Sequence, residues 1–257
     1  MMKLLDKRYL GLLREIVVSQ FRLKDQSTFF GFLWSFLHPL LMLIFLFLFF
    51  SFRIGREIEH YAIFLLIGII HYTHFSNSTN ASMSVLSGMR QLTCNTILPK
   101  EVLVIGSVIT NTIEFIISML ICIPMAYVSG ARLSWTLVLL PLVLLLQVTM
   151  VLWVSFALSC LCVFVKDIAH IYQVFLRLLF FVTPIFYATA FLGGEIATYM
   201  VLFNPLAHLI AFSRAVVIEG NLFSIKLFAI LLSLNTLLIY VTFKIFKKQE
   251  PLFAEYV

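Results

Sequence analysis

The chain has 257 residues, of which 62% are hydrophobic and 12% charged, with a formal net charge of +6 at pH 7 and a mean hydropathy of +1.06. That composition excludes a soluble domain with a polar surface and predicts an integral membrane protein. Its apolar runs reach the roughly 20 residues a helical span needs and lack the ten-residue alternation of a membrane barrel, so the expected class is an all-α membrane protein.

The first 30 residues read as one amphipathic unit. At helical spacing Leu5, Tyr9, Leu12, Leu13, Ile16 and Leu23 share one face, opposite Lys3, Lys7, Arg8, Arg14 and Arg22. This predicts a helix in the membrane interface with its cations toward anionic headgroups, the plainer alternative being a basic flank that only sets orientation. The first apolar run begins near Phe32 without a small-residue cleavage site, so it is expected to stay as a span rather than be removed as a signal.

Six spans are predicted at about 32–52, 61–82, 103–128, 136–164, 168–187 and 225–246, making 31–257 the membrane domain. One side of this arrangement holds Lys3, Lys7, Arg8, Arg14, Arg22, Lys24, Arg90, Lys100, Lys166, Lys244, Lys247 and Lys248. The other holds Arg53, Arg56, Arg132, Arg214 and Lys226, and the imbalance places both termini in the cytoplasm. An even number of spans is then required. The stretch from Ile168 to Phe223 is apolar but broken at Pro184, Gly193-Gly194 and Pro205, and two full crossings within it would strand the basic tail outside. About 184–223 is therefore expected to re-enter from the outer face, a path allowed only inside protein or beside a wet cavity.

Polar groups inside the spans are the next signal, since each is costly in hydrocarbon. They are His38, the run His71, Tyr72, Thr73, His74, Ser76, Asn77, Ser78 and Asn80, then Glu114 and Arg177. Singly, each is expected to bond a neighbouring helix; as a cluster, His71 to Asn80 would also suit a hydrated path. Glu114 is open to two readings, a proton-coupling acid or the partner of Arg177 or a histidine. Aromatic residues crowd the first span (Phe45, Phe47, Phe49, Phe50) and the fifth (Phe175, Phe180, Phe181, Phe186, Tyr187). Most would pack or face lipid; a subset facing a channel would offer sugar rings an apolar surface that binds weakly enough to release.

Catalytic patterns are missing: there is no GxSxG elbow, HExxH, paired-carboxylate motif or GxxxxGK[ST] phosphate loop. If ATP drives this protein, another polypeptide binds it. Cys94, Cys122, Cys160 and Cys162 form no CxxC pair and have no His-rich neighbour, which points to packing rather than to a disulfide or a zinc site.

Several segments, in order along the chain, resemble one family. Gly31-Phe32-Leu33-Trp34-Ser35-Phe36-Leu37-His38-Pro39-Leu40 resembles the GxxWxxLxP start of the first span in ABC-2 type permeases that export bacterial surface polysaccharides. Ile97 to Leu103 is similar to their cytoplasmic segment before the third span, and Val163 to Ile168 to their charged turn before the fifth. Thr183-Pro184-Ile185-Phe186-Tyr187 resembles an outer PIxY element, and Asn204-Pro205-Leu206 with Arg214 the later outer segment. The chain departs from the pattern at Thr93-Cys94-Asn95, where a basic residue is usual, and in the short Arg53 to His60 connection.

The resemblance implies a homodimeric permease subunit in the bacterial inner membrane, docked on two copies of a separate ABC nucleotide-binding subunit that holds the ATP and Mg, with no cofactor of its own; no nucleic-acid partner is expected, because the distribution of the basic residues around the spans is explained by membrane orientation. The cargo would be a lipid-linked polysaccharide of the O-antigen, capsule or teichoic acid type. It also implies residue roles. Arg14, Met89, Arg90, Leu98, Pro99, Lys100, Glu101, Lys166 and Asp167 would contact the ATPase subunit. Trp34, Phe45, Phe49, His71, His74, Asn77, Phe175, Phe180 and Phe181 would line the channel. Pro184, Phe186, Tyr187, Asn204, Pro205 and Arg214 would form the outer gate. The alternatives are an ABC-2 exporter of a small hydrophobic compound and a proton-coupled secondary transporter.

Overall fold

A computed structural model describes the chain except residues 1–6, 27–32, 96–97, 132–133, 190–198, 200 and 257. The described residues are helical with turns and contain no strand. The longer helices are α1 (Lys7–Gln26), α2 (Trp34–Phe50), α3 (Tyr61–Gly88), α4 (Arg90–Asn95), α5 (Glu101–Val128) and α6 (Leu140–Phe164). They continue as α7 (Ile168–Val182), α8 (Pro205–Arg214), α9 (Ile225–Gln249) and the terminal turn α10 (Phe253–Tyr256).

Helices stand at all six predicted span positions, but they differ in kind. Three segments, Glu101–Val128, Trp135–Phe164 and Ile225–Tyr256, are long and apolar enough to cross a membrane; Trp34–Phe50 and Ile168–Val182 are shorter apolar helices. The α3 helix runs 28 residues, six beyond the predicted end, because its polar second half keeps helical geometry through Gly88. The fifth predicted span stops early, at Val182 instead of residue 187. Thr183 is extended (φ −80°, ψ 133°) because the Pro184 ring disfavours helical backbone in the residue before it.

The core is organised around α3. Its first half buries Ile63, Leu65, Leu66, Ile67, Ile69 and Ile70 and leaves only Ala62 and Phe64 partly exposed, as expected of a helix that is apolar all round. It packs against α5, α6, α2 and α8. By contrast, α9 buries only Asn235 and Phe246 and lies on the outside of the bundle against α6. There Asn235 accepts a hydrogen bond from the Trp153 indole at 3.0 Å, a polar tie of the kind that holds membrane helices together.

A second, smaller core joins the ends of the chain. Tyr9 and Ile16 of α1 pack with Val102, Leu103 and Val104 of α5, with Phe156 and Cys160 of α6, and with Phe246 and Phe253 of the tail. The α1 helix thus buries Tyr9 and Ile16 against α5, while Leu12 and Leu23 of the same predicted face stay exposed, as do Lys7, Arg8, Arg14 and Arg22. The approach is close at Gly106, where a Cβ would lie 2.8 Å from Ile16 Cγ2.

Candidate translocation site

Seven of the nine residues expected to line one channel fall into two separate cavities, and His71 and Phe175 line neither. The larger, about 560 Å³, lies between α2 and α7 and is walled by Met42, Phe45, Leu46, Phe49, Phe50, Tyr72, Phe180 and Phe181, with Arg177. The Phe45 and Phe49 rings lie 4.7 Å apart at a tilt of 41° and continue the exposed face of α2; Phe175 and Phe181 continue that of α7. Two tyrosines of neighbouring helices fix this wall: Tyr72 donates to the Leu176 carbonyl and Tyr172 to Thr79 Oγ1, both at 2.7 Å.

The smaller cavity, about 40 Å³, is polar. Trp34, Ser35 and His38 of α2, Thr73, His74 and Asn77 of α3, and Asn111, Glu114 and Ser118 of α5 line it. Its volume suits a few water molecules. His74 stacks on Phe115 at 4.2 Å, and its Nε2 lies 3.3 Å from Thr112 Oγ1. Trp34, His74 and Asn77 therefore stand apart from Phe45, Phe49, Phe180 and Phe181. Glu114 lines the polar cavity and Arg177 the aromatic one.

His71 lines neither. It is fully buried between α3, α6 and the end of α8, with Nδ1 3.2 Å from Gln147 Oε1 and Nε2 2.7 Å from Ser213 Oγ. Gln147 Nε2 returns a hydrogen bond to the His71 carbonyl at 3.2 Å. The network assigns the ring proton to Nδ1, with Nε2 accepting from the serine, and the arrangement satisfies every group in a place where an unpaired one is expensive.

At the other end of α7 the structure draws together all six residues expected at the outer gate. Arg214, at the end of α8, is buried, and its guanidinium donates to the Phe64 carbonyl (Nη2 2.9 Å, Nε 3.2 Å), to Pro184 (2.8 Å) and to Ile185 (2.7 Å). Its Cζ sits 3.2 Å from the centroid of the Phe64 ring. This fork ties a non-helical turn to α3. Gly68 makes room for it, since a Cβ there would meet Arg214 Nη2 at 3.0 Å and Ile185 Cα at 3.1 Å.

Further bonds close the turn. Tyr61 donates to the Phe186 carbonyl at 2.9 Å, Phe186 stacks on Phe50 at 4.9 Å, and the Tyr187 hydroxyl donates to Phe181 and Val182, each at 3.0 Å. Asn204 caps α8 through Oδ1, accepting from the amides of Leu206 and Ala207, while its Nδ2 donates to Thr183 at 2.9 Å. Pro205 follows at the first helical position, where its missing N–H costs nothing. Gly193 and Gly194, expected in the same hairpin, lie outside the described residues.

The residues expected to meet an ATPase divide by exposure. Arg14, Arg90, Lys166 and Asp167 are exposed, and Met89, Leu98 and Pro99 are partly so. Lys100 and Glu101 are buried. Glu101 takes Lys247 Nζ at 2.6 Å, Lys247 also reaches Glu250 at 2.9 Å, and Glu250 accepts from the Lys100 amide at 2.6 Å. Lys100 Nζ donates to the Leu92 carbonyl at 3.1 Å. Here a carboxylate pair clamps the tail to the start of α5. Burial works against the Lys247 charge, but the hydrogen bonds it donates to the Glu101 and Glu250 carboxylates outweigh that and hold its pKa above the ordinary lysine value. Burial, aided by the charges of Glu101 and Glu250, pushes the nearby Tyr9 phenol up to about 12.

Tyr61, Gly68, Gln147, Ser213 and Glu250 were not singled out in the sequence. Only Gln147 carried a local signal, as an amide in an otherwise apolar run.

A helical bundle with long apolar segments and polar interhelical ties defines a multi-pass membrane protein. The ABC-2 type transporter family matches residues 12–218, so the chain belongs to that family. Three relatives align almost end to end, each an O-antigen export system permease protein RfbA. The one from Myxococcus xanthus is 29% identical over 249 residues, covering 96% of both chains. Two from Klebsiella pneumoniae are 28% identical with 99% of both chains covered and 27% identical with 97% of both covered.

Proposed function

We propose that this protein is the membrane subunit of an ATP-driven exporter that moves a lipid-linked polysaccharide of the O-antigen type out of the cytoplasm across a bacterial inner membrane. The observation that carries this reading is the nearly end-to-end similarity to three O-antigen export permeases.

In this reading the chain crosses the membrane six times with both termini inside, and two copies pair with two nucleotide-binding subunits that hold ATP and Mg²⁺. The walls of the conduit are the aromatic faces of α2 and α7, whose apolar surface slides past sugar rings without gripping them. Pro184 to Arg214 forms the re-entrant outer gate, braced by the Arg214 fork. The surface offered to the ATPase is Arg14, Met89, Arg90, Leu98, Pro99, Lys166 and Asp167, with Lys100 and Glu101 stiffening it from within through the tail clamp.

Deleting the gene tests the reading. The expected result is loss of surface glycan with lipid-linked polymer accumulating inside the cell, restored by the wild-type gene. Co-purification of the chain with a nucleotide-binding subunit and ATPase activity of that complex are expected as well. Intact surface glycan in the deletion strain, or failure to associate with any such subunit, overturns it. An exporter of small hydrophobic compounds would leave surface glycan untouched.

A further inference from the structure

We infer that the C-terminal tail, from Lys247 to Tyr256, is a positioning element that holds the separate segments expected to meet the nucleotide-binding subunit in one fixed arrangement. The inference rests on the export reading above and adds to it the element that sets the geometry of that contact.

The α9 helix supplies the first observation. It buries only Asn235 and Phe246 along its length, yet past Gln249 the chain turns through Glu250–Leu252 and packs its last turn, α10, on α4 and α6. There Phe253 is fully buried, its ring 5.1 Å from that of Phe246. A four-residue turn does not persist alone, so its packing holds it in place. Chain ends fray unless they are tied down, and this one is tied to each segment expected to meet the ATPase.

The first tie is polar. Lys247 bridges Glu101 at 2.6 Å and Glu250 at 2.9 Å, and Glu250 accepts from the Lys100 amide at 2.6 Å. Lys100 Nζ then donates to the Leu92 carbonyl at 3.1 Å, which carries the chain of bonds into α4, a helix of six residues that is itself too short to stand alone. The second tie is aromatic: the Phe164 ring lies 6.1 Å from Phe253 and 5.1 Å from Tyr256, and Phe164 directly precedes the turn that carries Lys166 and Asp167. The third is apolar, because Tyr9 of α1, the helix that carries Arg14, packs in the same small core as Phe246 and Phe253. The bonds of the tail therefore run to the ends of helices and to the short α4, so what they fix is the arrangement of this face. A partner that must meet all of these segments at once binds in proportion to the fraction of molecules in which they are placed together.

The test uses the full chain in nanodiscs, at a temperature where every variant is folded, titrated with the nucleotide-binding subunit that co-purifies with the wild type. Lys247→Met and Glu250→Gln are each expected to weaken association about 10-fold, as loss of the charge-assisted bonds lets the docking-ready arrangement fall to about a tenth of the population. Lys247→Arg, which keeps the charge and its donors, should restore most of the affinity, and Lys244→Gln, an exposed cation outside the tail, should bind like the wild type. Hydrogen exchange supplies a readout that a purely stabilising role would not move. The amides of α4 and of residues 98–101 should exchange faster in Lys247→Met and Glu250→Gln, while those of Ile63 to Ile70 in α3 keep wild-type protection. Wild-type affinity in both variants overturns the inference. So does faster exchange in α3 that matches the change in α4, which would make the tail a general stabiliser, or an equal loss of affinity in Lys244→Gln, which would make net charge the cause. A wild type that associates while the tail variants match it refutes the positioning role alone; a wild type that associates with no nucleotide-binding subunit refutes the export reading and this inference together.

Discussion

Replacing Arg214 with methionine keeps most of the side-chain volume and removes every donor. In the wild type the guanidinium supplies hydrogen bonds to Phe64, Pro184 and Ile185 at 2.7 to 3.2 Å. The Phe64 carbonyl lies within α3, but Pro184 and Ile185 are outside any helix, and neither carbonyl receives another hydrogen bond among the described residues. Two buried carbonyls left without donors cost about 1–3 kcal/mol each, so the substitution should destabilise the protein by about 2–6 kcal/mol. For a chain of this size that corresponds to a melting temperature lower by about 5–20 °C. Arg214→Lys retains a charge and up to three donors without the planar fork and should fall between the two. Thermal melts of the purified chain in detergent measure the effect, with exposed Arg56→Gln as a control expected to melt like the wild type. A melting temperature of Arg214→Met within about 2 °C of wild type would refute the claim that this residue holds the turn at Pro184 and Ile185.

Three more substitutions probe the same framework. Tyr61→Phe removes one neutral hydrogen bond to the Phe186 carbonyl and should cost about 1 kcal/mol, visible as a small drop in the same melt. Gly68→Ala places a Cβ 3.0 Å from Arg214 and 3.1 Å from the Ile185 backbone, so the turn at Ile185 must shift; a loss of about 1–3 kcal/mol is expected, and a stabilised variant would contradict the packing. At the opposite end, Lys247 has a raised pKa in the folded state. Its contribution is then fully present below the lysine value of the unfolded chain and is lost as pH rises through the higher folded value. Lys247→Met should therefore melt lower at neutral pH and flatten the loss of stability above about pH 10. An unchanged alkaline profile in that variant would rule out the clamp as its source.

Much of the scaffold was legible because membrane spans announce themselves by length and apolarity. The starts of α3, α7 and α9 coincide with predicted residues 61, 168 and 225. The end of the fifth span was misplaced because the apolar run continues through Pro184 to Tyr187, although the pre-proline rule stops the helix at Val182. The polar second span was visible too, but its residues could not be sorted by face. A helix turns 100° per residue, so His71 and His74 point to different neighbours: one to Gln147 and Ser213, the other into the polar cavity. Pairing across distance left no local trace. Arg214 with Phe64, and Lys247 with Glu101, join residues 150 and 146 positions apart, and nothing in either segment names the other. Lys100 and Glu101 look like surface charges in a linear reading and are buried only because the tail folds back over them.

The most direct measurement of the export path places a photo-crosslinking benzoylphenylalanine at Phe45 or Phe181 in living cells, with the same probe at Leu145, an exposed position on α6, as the reference. Glycan-bearing lipid captured at Phe45 and Phe181 but not at Leu145 is the result expected if the α2–α7 cavity is the conduit. No glycan at either aromatic position, or equal capture at Leu145, would contradict it.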